Sequence, residues 1–376
     1  MPEPLPGVTI VTNDTNPETG LGRTTWEPYW RLAEQAEIPV RLAVLDKHAR
    51  EVRVHEDGEV DAIPLLRLPE HRYMFFARAA RKVPLGEINH VTNQVLSYLP
   101  LPNKVVTVHD LFFRTEDLSL AYKLHSYWLY PPIRNALHCL ANSHATAEEA
   151  CRVLDMEMDR FTVLPMGVDA ERFDTDRSRF EARRELGLPP DSPILFHLST
   201  ETPRKNVDGI LGALRVLVHD LGYEDLLFVK AGNATRKQDR QRHLDLVQDL
   251  DLAAHVRFVG YVDDDDLPLY YRASDALLFP SHQEGFGLPV LEAMAAGTPV
   301  VTSTTSALPE AAGDAALLAD PKDPAAMAKA VDRILSDPEL TRELVAKGRA
   351  RSATFTWDAT AQAQAAAYEE ILASLR

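Results

Sequence analysis

The chain has 376 residues, more than one ordinary hydrophobic core holds, so two domains are expected. Its 45% hydrophobic and 26% charged residues are those of a globular protein, and no apolar run approaches a bilayer span. A formal charge of −16 argues against a nucleic-acid surface, because phosphates would be repelled. The opening MPEPLPG has neither the basic flank nor the apolar stretch of a signal peptide. The two cysteines, Cys139 and Cys151, form neither a zinc site nor a disulfide scaffold, so a cytoplasmic location is expected.

Short apolar runs alternate with longer helical patterns along the chain. Strands are predicted over 8–12, 40–45, 88–91, 104–109, 138–142 and 161–164. After an interruption they resume over 194–199, 227–231, 256–260, 276–280, 300–302 and 316–318. Many are continuously apolar, as strands covered on both faces of a parallel sheet are. Helical periodicity marks 26–35, 207–221, 236–250, 325–335 and a final Ala-rich helix over 357–375. This alternation predicts an α/β chain of doubly wound sheets. The polar, Gly- and Pro-containing stretch 165–190 marks the boundary. The domains are expected over 1–170 and 171–355. The last helix, 356–376, either packs on the second domain or crosses back to the first.

Several constellations carry chemistry. ETGLGR, residues 18–23, follows the first strand and precedes a helix. It lacks the third glycine and the acidic residue of a dinucleotide site, so nicotinamide binding is disfavoured. Residues 67–82 carry five basic residues and one acid, interrupted by Tyr73, Phe75 and Phe76. Such a segment can lie on an anionic membrane or grip a lipid-linked phosphate. The favoured reading is a helix that buries its aromatics and solvates its arginines. His109 and Asp110 end an apolar strand at the ligand edge; spacing alone favours a structural histidine there. Lys205, beside Arg204, follows the first strand of the second domain and suits a diphosphate.

SHQEGFGLPVLEAMAAGTPVV, residues 281–301, reads strand, Gly-containing loop, helix. Ligands of doubly wound sheets bind beyond that edge, and a helix N-terminus there favours an anion. Glu284 lies in the loop and Glu292 one turn into the helix. Paired carboxylates suit vicinal sugar hydroxyls, but a helix cap plus an ion pair fits the spacing equally well. Gly285 and Gly287 let backbone approach a ligand.

This stretch resembles the E-x7-E signature of the retaining, nucleotide-sugar-dependent glycosyltransferases of family four, which have the GT-B fold. Tyr270, Ala273, Asp275, Pro280 and Ser281 continue the resemblance upstream. Ser306, Leu308, Pro309, Glu310, Gly313, Ala315, Ala316, Asp320 and Pro321 continue it downstream. PRKN at 203–206 and VLPMGVDAERF at 163–173 also match, so the resemblance is strongest over 160–340 and weaker in the first half.

The resemblance implies two Rossmann-like domains facing across a cleft, with acceptor on the first domain and nucleotide-sugar on the second. Glu284 would contact the transferred sugar and Glu292 the ribose. Backbone of Gly285, Phe286, Gly287 and Leu288 would hold sugar and diphosphate, and Lys205 the diphosphate. Many members carry a further arginine where this chain has Ser199. Arg204, or Lys205 with helix dipoles, would supply that charge. Gly20 and Gly22 match a Gly-rich loop facing the donor phosphate. His109 would line the donor–acceptor site, with Asp110 and Ser143 on the acceptor side.

The expected activity is transfer of a hexosyl unit from a UDP- or GDP-sugar to an acceptor hydroxyl with retention. Glu284, His109 and Lys205 are the expected catalytic residues. No Asp-x-Asp sits where a cation would bind, since Asp263–Asp266 reads as a loop, so neither metal nor other cofactor is expected. The acceptor is expected to be a glycan, a lipid-linked sugar or a small molecule, with residues 67–82 the candidate for peripheral membrane contact. A nucleotide-sugar epimerase of the same fold, or a non-catalytic nucleotide-sugar-binding protein, are the alternatives.

Overall fold

The structure, a computed structural model, describes residues 5–17, 19–65, 72–112 and 130–376. It divides into two compact units. One ends at Gly167 and takes in Thr356–Arg376; the other is Val168–Phe355.

The first unit holds an eight-stranded sheet. Its strands are β1 (Leu5–Thr12), β2 (Val40–Asp46), β3 (Glu51–Glu56), β4 (Glu59–Pro64), β5 (Gly86–Val91), β6 (Lys104–Val108), β7 (His138–Ala141) and β8 (Phe161–Val163). Their order is β4-β3-β2-β1-β5-β6-β7-β8. All pairs are parallel except β2–β3 and β3–β4. That antiparallel extension is absent from the sequence-predicted strands. Its signal was present: Val52, Val54, Val60 and Ala62 alternate with polar residues around Asp57-Gly58. Both turn residues take positive φ, 49° and 81°, as a tight hairpin demands.

Apolar clusters cover both faces of this sheet. Helix Gly20–Gln35 and the last helix, Trp357–Leu375, cover one of them through Trp26, Tyr29, Leu32, Tyr368, Ile371 and Leu372. The last helix therefore packs on the first unit. Tyr368 Oη lies 2.6 Å from His90 Nδ1, and Gln364 Nε2 donates to the same hydroxyl at 2.6 Å. On the opposite face Phe75 and Phe76 are buried, while Arg78, Arg81 and Lys82 are exposed. Residues 67–71 of the basic segment, and the side chains of Arg72 and Tyr73, lie outside the described residues. No helix among the described residues is long and apolar enough to cross a membrane.

The second unit holds six parallel strands: β9 (Ile194–Leu198), β10 (Leu227–Ala231), β11 (Val256–Gly260), β12 (Ala276–Phe279), β13 (Val300–Ser303) and β14 (Leu317–Ala319). Their order is β11-β10-β9-β12-β13-β14, so the winding direction reverses between β9 and β12. In a doubly wound sheet that reversal splays the two following loops apart and opens a crevice for a ligand.

Buried histidines set an acid limit on this fold. Burial pushes His90 and His197 down to about 3 and His109 to about 4, the last despite the Thr92 carbonyl. Unfolding returns each to the ordinary range near 6.5, where it takes up a proton. Stability is therefore complete above that range and is lost as pH falls from about 6.5 towards 4, by at most on the order of 3 kcal/mol per histidine. Thermal midpoints measured between pH 8 and pH 4 should hold steady and then drop. A flat profile through pH 5 would show that these rings are protonated in the folded state.

Candidate active site

The two loops flanking the strand-order reversal carry the charged residues. The loop after β9 ends in a turn, Pro203–Lys205, and the loop after β12 leads to helix Leu288–Ala295. Asn206, at φ 60°, donates from Nδ2 to the carbonyls of Pro280, at 3.0 Å, and Pro321, at 2.7 Å. The His282 N–H donates to the Arg204 carbonyl at 2.8 Å. Backbone and side chain together thus fasten one loop to the other.

Across that junction Lys205 Nζ donates to Glu284 Oε1 at 2.5 Å, and Arg204 Nη1 to Oε2 at 3.3 Å. Ser306 grips the Glu284 backbone at both ends. Its Oγ accepts from the Glu284 N–H at 3.1 Å and donates to the Glu284 carbonyl at 2.6 Å. The Glu284 side chain is 9% exposed. Burial alone would raise its pKa, but the charges of Lys205 and Arg204 outweigh it and hold the carboxyl below the usual range. Glu284 is therefore an ionised carboxylate at neutral pH, set in a small cationic frame.

Helix Leu288–Ala295 begins beside it. Gly287 precedes the helix at φ 107° and no side chain caps this end. An uncapped first turn presents N–H groups and the positive end of the helix dipole, which suits an anion. Gly285 and Phe286 complete the turn, with Phe286 buried and its ring 5.8 Å from that of Phe355. Glu292, one turn further on, accepts from the Tyr271 hydroxyl at 2.7 Å. Both are buried, and the phenol orients the carboxylate.

Ser199 carries no charge to the site; its Oγ donates to the Thr200 carbonyl at 2.7 Å and meets His197 Nε2 at 2.6 Å. Arg204 is the second guanidinium or ammonium group on Glu284.

The remaining sequence-predicted residues lie in the first unit. His109 is buried, and its Nε2–H donates to the Thr92 carbonyl at 2.8 Å. That bond makes Nδ1 the acceptor nitrogen of a neutral ring. Gln94 fixes the same corner: its Oε1 accepts from the His109 N–H at 3.1 Å and its Nε2 donates to Asp110 Oδ1 at 3.2 Å. Ser143 caps helix His144–Leu154, accepting from the Thr146 N–H at 3.0 Å. Gly20 and Gly22 differ from the predicted loop. They form the first turn of helix Gly20–Gln35, capped by Thr19, whose Oγ1 accepts from the Gly22 N–H at 2.9 Å. A Cβ on Gly22 would lie 1.9 Å from the Asn16 carbonyl, whereas one on Gly20 would meet nothing within 4 Å. Gly22 is needed for close packing of the turn, and Gly20 is not.

Two family models match this chain: Glycosyltransferase Family 4 over residues 8–172 and Glycosyl transferases group 1 over residues 178–351. A D-inositol 3-phosphate glycosyltransferase of Geodermatophilus obscurus is 31% identical over 376 aligned residues, which cover 97% of this chain and 76% of that protein. The chain belongs to the group 1 glycosyltransferases. Two further relatives of the same description are each 34% identical, and the matched regions span only 56% and 54% of their lengths. Among solved structures, sucrose-phosphate synthase from Thermosynechococcus elongatus superposes with a TM-score of 0.79 at 22% identity, over 98% of this chain and 99% of that one. Anabaena HepE in complex with UDP and glucose gives a TM-score of 0.74 at 17% identity, over 97% and 100%. These likenesses show that the glycosyltransferase has the GT-B fold, with its two parallel-sheet Rossmann-like domains.

Some residues that shape this glycosyltransferase site were not singled out from sequence. Tyr271 stands next to Tyr270, a position of the family pattern, yet it is Tyr271 whose hydroxyl meets Glu292. Ser306 belongs to the matched pattern, but its grip on Glu284 spans 22 residues of sequence and needed the β12–β13 pairing to become visible. Glu201, Lys230 and His243 gave no sequence signal beyond being charged or titratable residues in a β/α unit.

Proposed function

We propose that this chain transfers a hexosyl unit from a UDP- or GDP-linked sugar to an acceptor hydroxyl, with retention of configuration and without a metal ion. The observation that carries this reading is the convergence of Arg204, Lys205 and Glu284 at the strand-order reversal, beside an uncapped helix N-terminus. The leaving group is a nucleoside diphosphate, a weak base, so it needs positive charge more than a general acid. Lys205, Arg204 and the first turn of helix Leu288–Ala295 supply that charge. An arriving diphosphate competes with Glu284 for the two cations and releases a carboxylate oxygen to a sugar hydroxyl. Glu292, oriented by Tyr271, accepts from the ribose hydroxyls. Neutral His109, with Nδ1 an acceptor, takes a hydroxyl hydrogen bond from the donor or acceptor sugar.

The names of the relatives support a sugar acceptor or phosphorylated polyol, and the UDP of HepE supports a nucleotide donor. Free cysteines at Cys139 and Cys151 suit a reducing, cytoplasmic compartment. A thermal-shift screen against UDP- and GDP-sugars should raise the melting temperature with one nucleotide class, followed by acceptor-dependent release of that nucleotide. Conversion of the sugar with no acceptor present would instead identify an epimerase. Binding with no turnover under any acceptor would identify a sugar-nucleotide receptor.

A further inference from the structure

Next to the Pro203–Lys205 turn lies a second charged cluster that the proposed reaction does not use. Glu201, in the same loop, has a side chain with no solvent exposure, and three basic groups converge on it. Lys230 Nζ lies 3.4 Å from Oε1, and His243 Nδ1 lies 3.1 Å from Oε2. Arg240 Nε contacts the two oxygens at 2.9 and 3.1 Å, and its Nη2 also donates to Oε1. Lys230, on β10, is itself fully buried and donates to the carbonyls of Ser199, at 2.6 Å, and Gly232, at 3.0 Å. The other nitrogen of His243 lies 3.1 Å from Asp208 Oδ1. Arg242 Nη2 also lies 3.3 Å from that nitrogen, so two carboxylates favour the imidazolium against one guanidinium.

The proton equilibria agree with this geometry. Burial works against the charge on Glu201, yet hydrogen bonds from His243 and Arg240 bring its carboxyl down to about 2. Burial also works against charge on His243, but its bonds to Asp208 and Glu201 raise its pKa. Lys230 falls to about 8, chiefly through burial, which leaves it largely charged at neutral pH.

Apolar side chains of similar volume would stabilise this core as well as buried ions do, and at less desolvation cost. What the ions add is a fixed geometry. Ser199 and Glu201 belong to the loop that delivers Arg204 and Lys205. The cluster ties that loop to β10 and to helix Lys237–Asp249. On the far side of Arg204 and Lys205, Asn206 ties the same loop to Pro280 and Pro321. The two basic residues thus sit on a short span anchored at each end. One anchor is a pair of neutral amide bonds, the other a buried carboxylate.

We propose that Glu201, with Lys230 as its buried counter-ion, is a positioning residue that holds Arg204 and Lys205 at the spacing a diphosphate requires. It acts through those side chains and does not itself touch the donor. The proposal rests on reading Arg204 and Lys205 as diphosphate ligands. It also accounts for the absence of a cation at Ser199, since that residue's carbonyl serves instead as an attachment point for Lys230.

The test uses the full chain and the variants Glu201→Gln and Lys230→Met. Each is titrated with UDP and GDP, and with uridine and guanosine, which lack the phosphates. Thermal melting reports whether the fold is kept. Loosening the loop should weaken binding of the preferred diphosphate by about tenfold while leaving its nucleoside unchanged, and raise KM for the donor more than it lowers kcat. Equal loss for nucleoside and diphosphate would show a general structural role and overturn the proposal, as would an unchanged diphosphate affinity in both variants. If Glu201→Gln melts below the assay temperature, Lys230→Met decides by the same ratio, because it removes the tie to the Ser199 carbonyl while Arg240 and His243 still neutralise Glu201. Failure of the unaltered chain to bind either diphosphate would remove the reading of Arg204 and Lys205, and with it the functional proposal.

Discussion

Lys205→Ala and Glu284→Gln are each expected to lower sugar transfer by about two to three powers of ten, with the loss in kcat. In the proposed reaction the lysine answers the charge that develops on the diphosphate as the glycosidic bond breaks, so its removal is expected to act most strongly in the transition state. Glu284→Gln keeps size and shape and removes only the charge set between Lys205 and Arg204. Neither change should unfold the second unit. In Lys205→Ala the Glu284 carboxylate keeps Arg204, and in Glu284→Gln the amide oxygen still accepts from one of the two cations, which hold different carboxylate oxygens. Steady-state assays with a thermal melt of each variant check this. Turnover near that of the unaltered chain in either would refute the assignment. The pH dependence has a sign as well. Since the carboxyl of Glu284 is held below the usual carboxylate range, its charged form persists on acidification. Loss of activity from this group should therefore begin only at a more acidic pH than the range in which an ordinary glutamate titrates.

Gly287→Val carries the second largest expected effect. Gly287 has φ 107°, a conformation that L side chains rarely adopt, and a Cβ there would lie 2.6 Å from Leu308 Cδ2. Leu308 is fully buried, so its side chain must repack against its neighbours to make room. Strain and overlap together should cost about 2–4 kcal/mol, read as a lower melting temperature of the second unit. The turn before helix Leu288–Ala295 would shift too, so donor affinity should fall in whatever protein stays folded. Gly20→Ala is the contrasting control. It lies in a helical first turn with open space around its Cβ position, and should be neutral or slightly stabilising. Equal melting temperatures for the two variants would show that the turn at Gly287 is not constrained as its backbone implies.

Much of the architecture was legible because burial on both faces forces continuous apolar strands. β9, β10 and β12 read that way, and the helical stretches predicted over 207–221 and 236–250 lie between them, whereas the short helix Leu267–Ala273 was not predicted. The hairpin of β3 and β4 was missed although alternation and Asp57-Gly58 announced it. A half-exposed antiparallel extension has the opposite pattern from the parallel strands around it. The start of the first helix was misplaced for a different reason. Two glycines in three residues favour a turn on propensity alone, but the Thr19 cap and close packing of Gly22 against Asn16 outweigh that preference.

The sequence by itself determined where a ligand edge would fall and which residues to propose for it, because polar and glycine-rich segments directly after buried strands fall at one edge of a doubly wound sheet. Glu284, Glu292, Arg204 and Lys205 were identifiable from that and from the family resemblance. Only the tertiary structure decided what each one holds. Arg204 and Glu284 stand 80 positions apart in sequence and meet because β12 pairs with β9, skipping β10 and β11. Glu292, which resembled its partner in sequence, accepts from the Tyr271 hydroxyl. Glu201 and Lys230 form a fully buried ion pair between the loop after β9 and the neighbouring strand β10. Such pairings depend on strand order, which is set by non-local contacts, and no local pattern of residues encodes them.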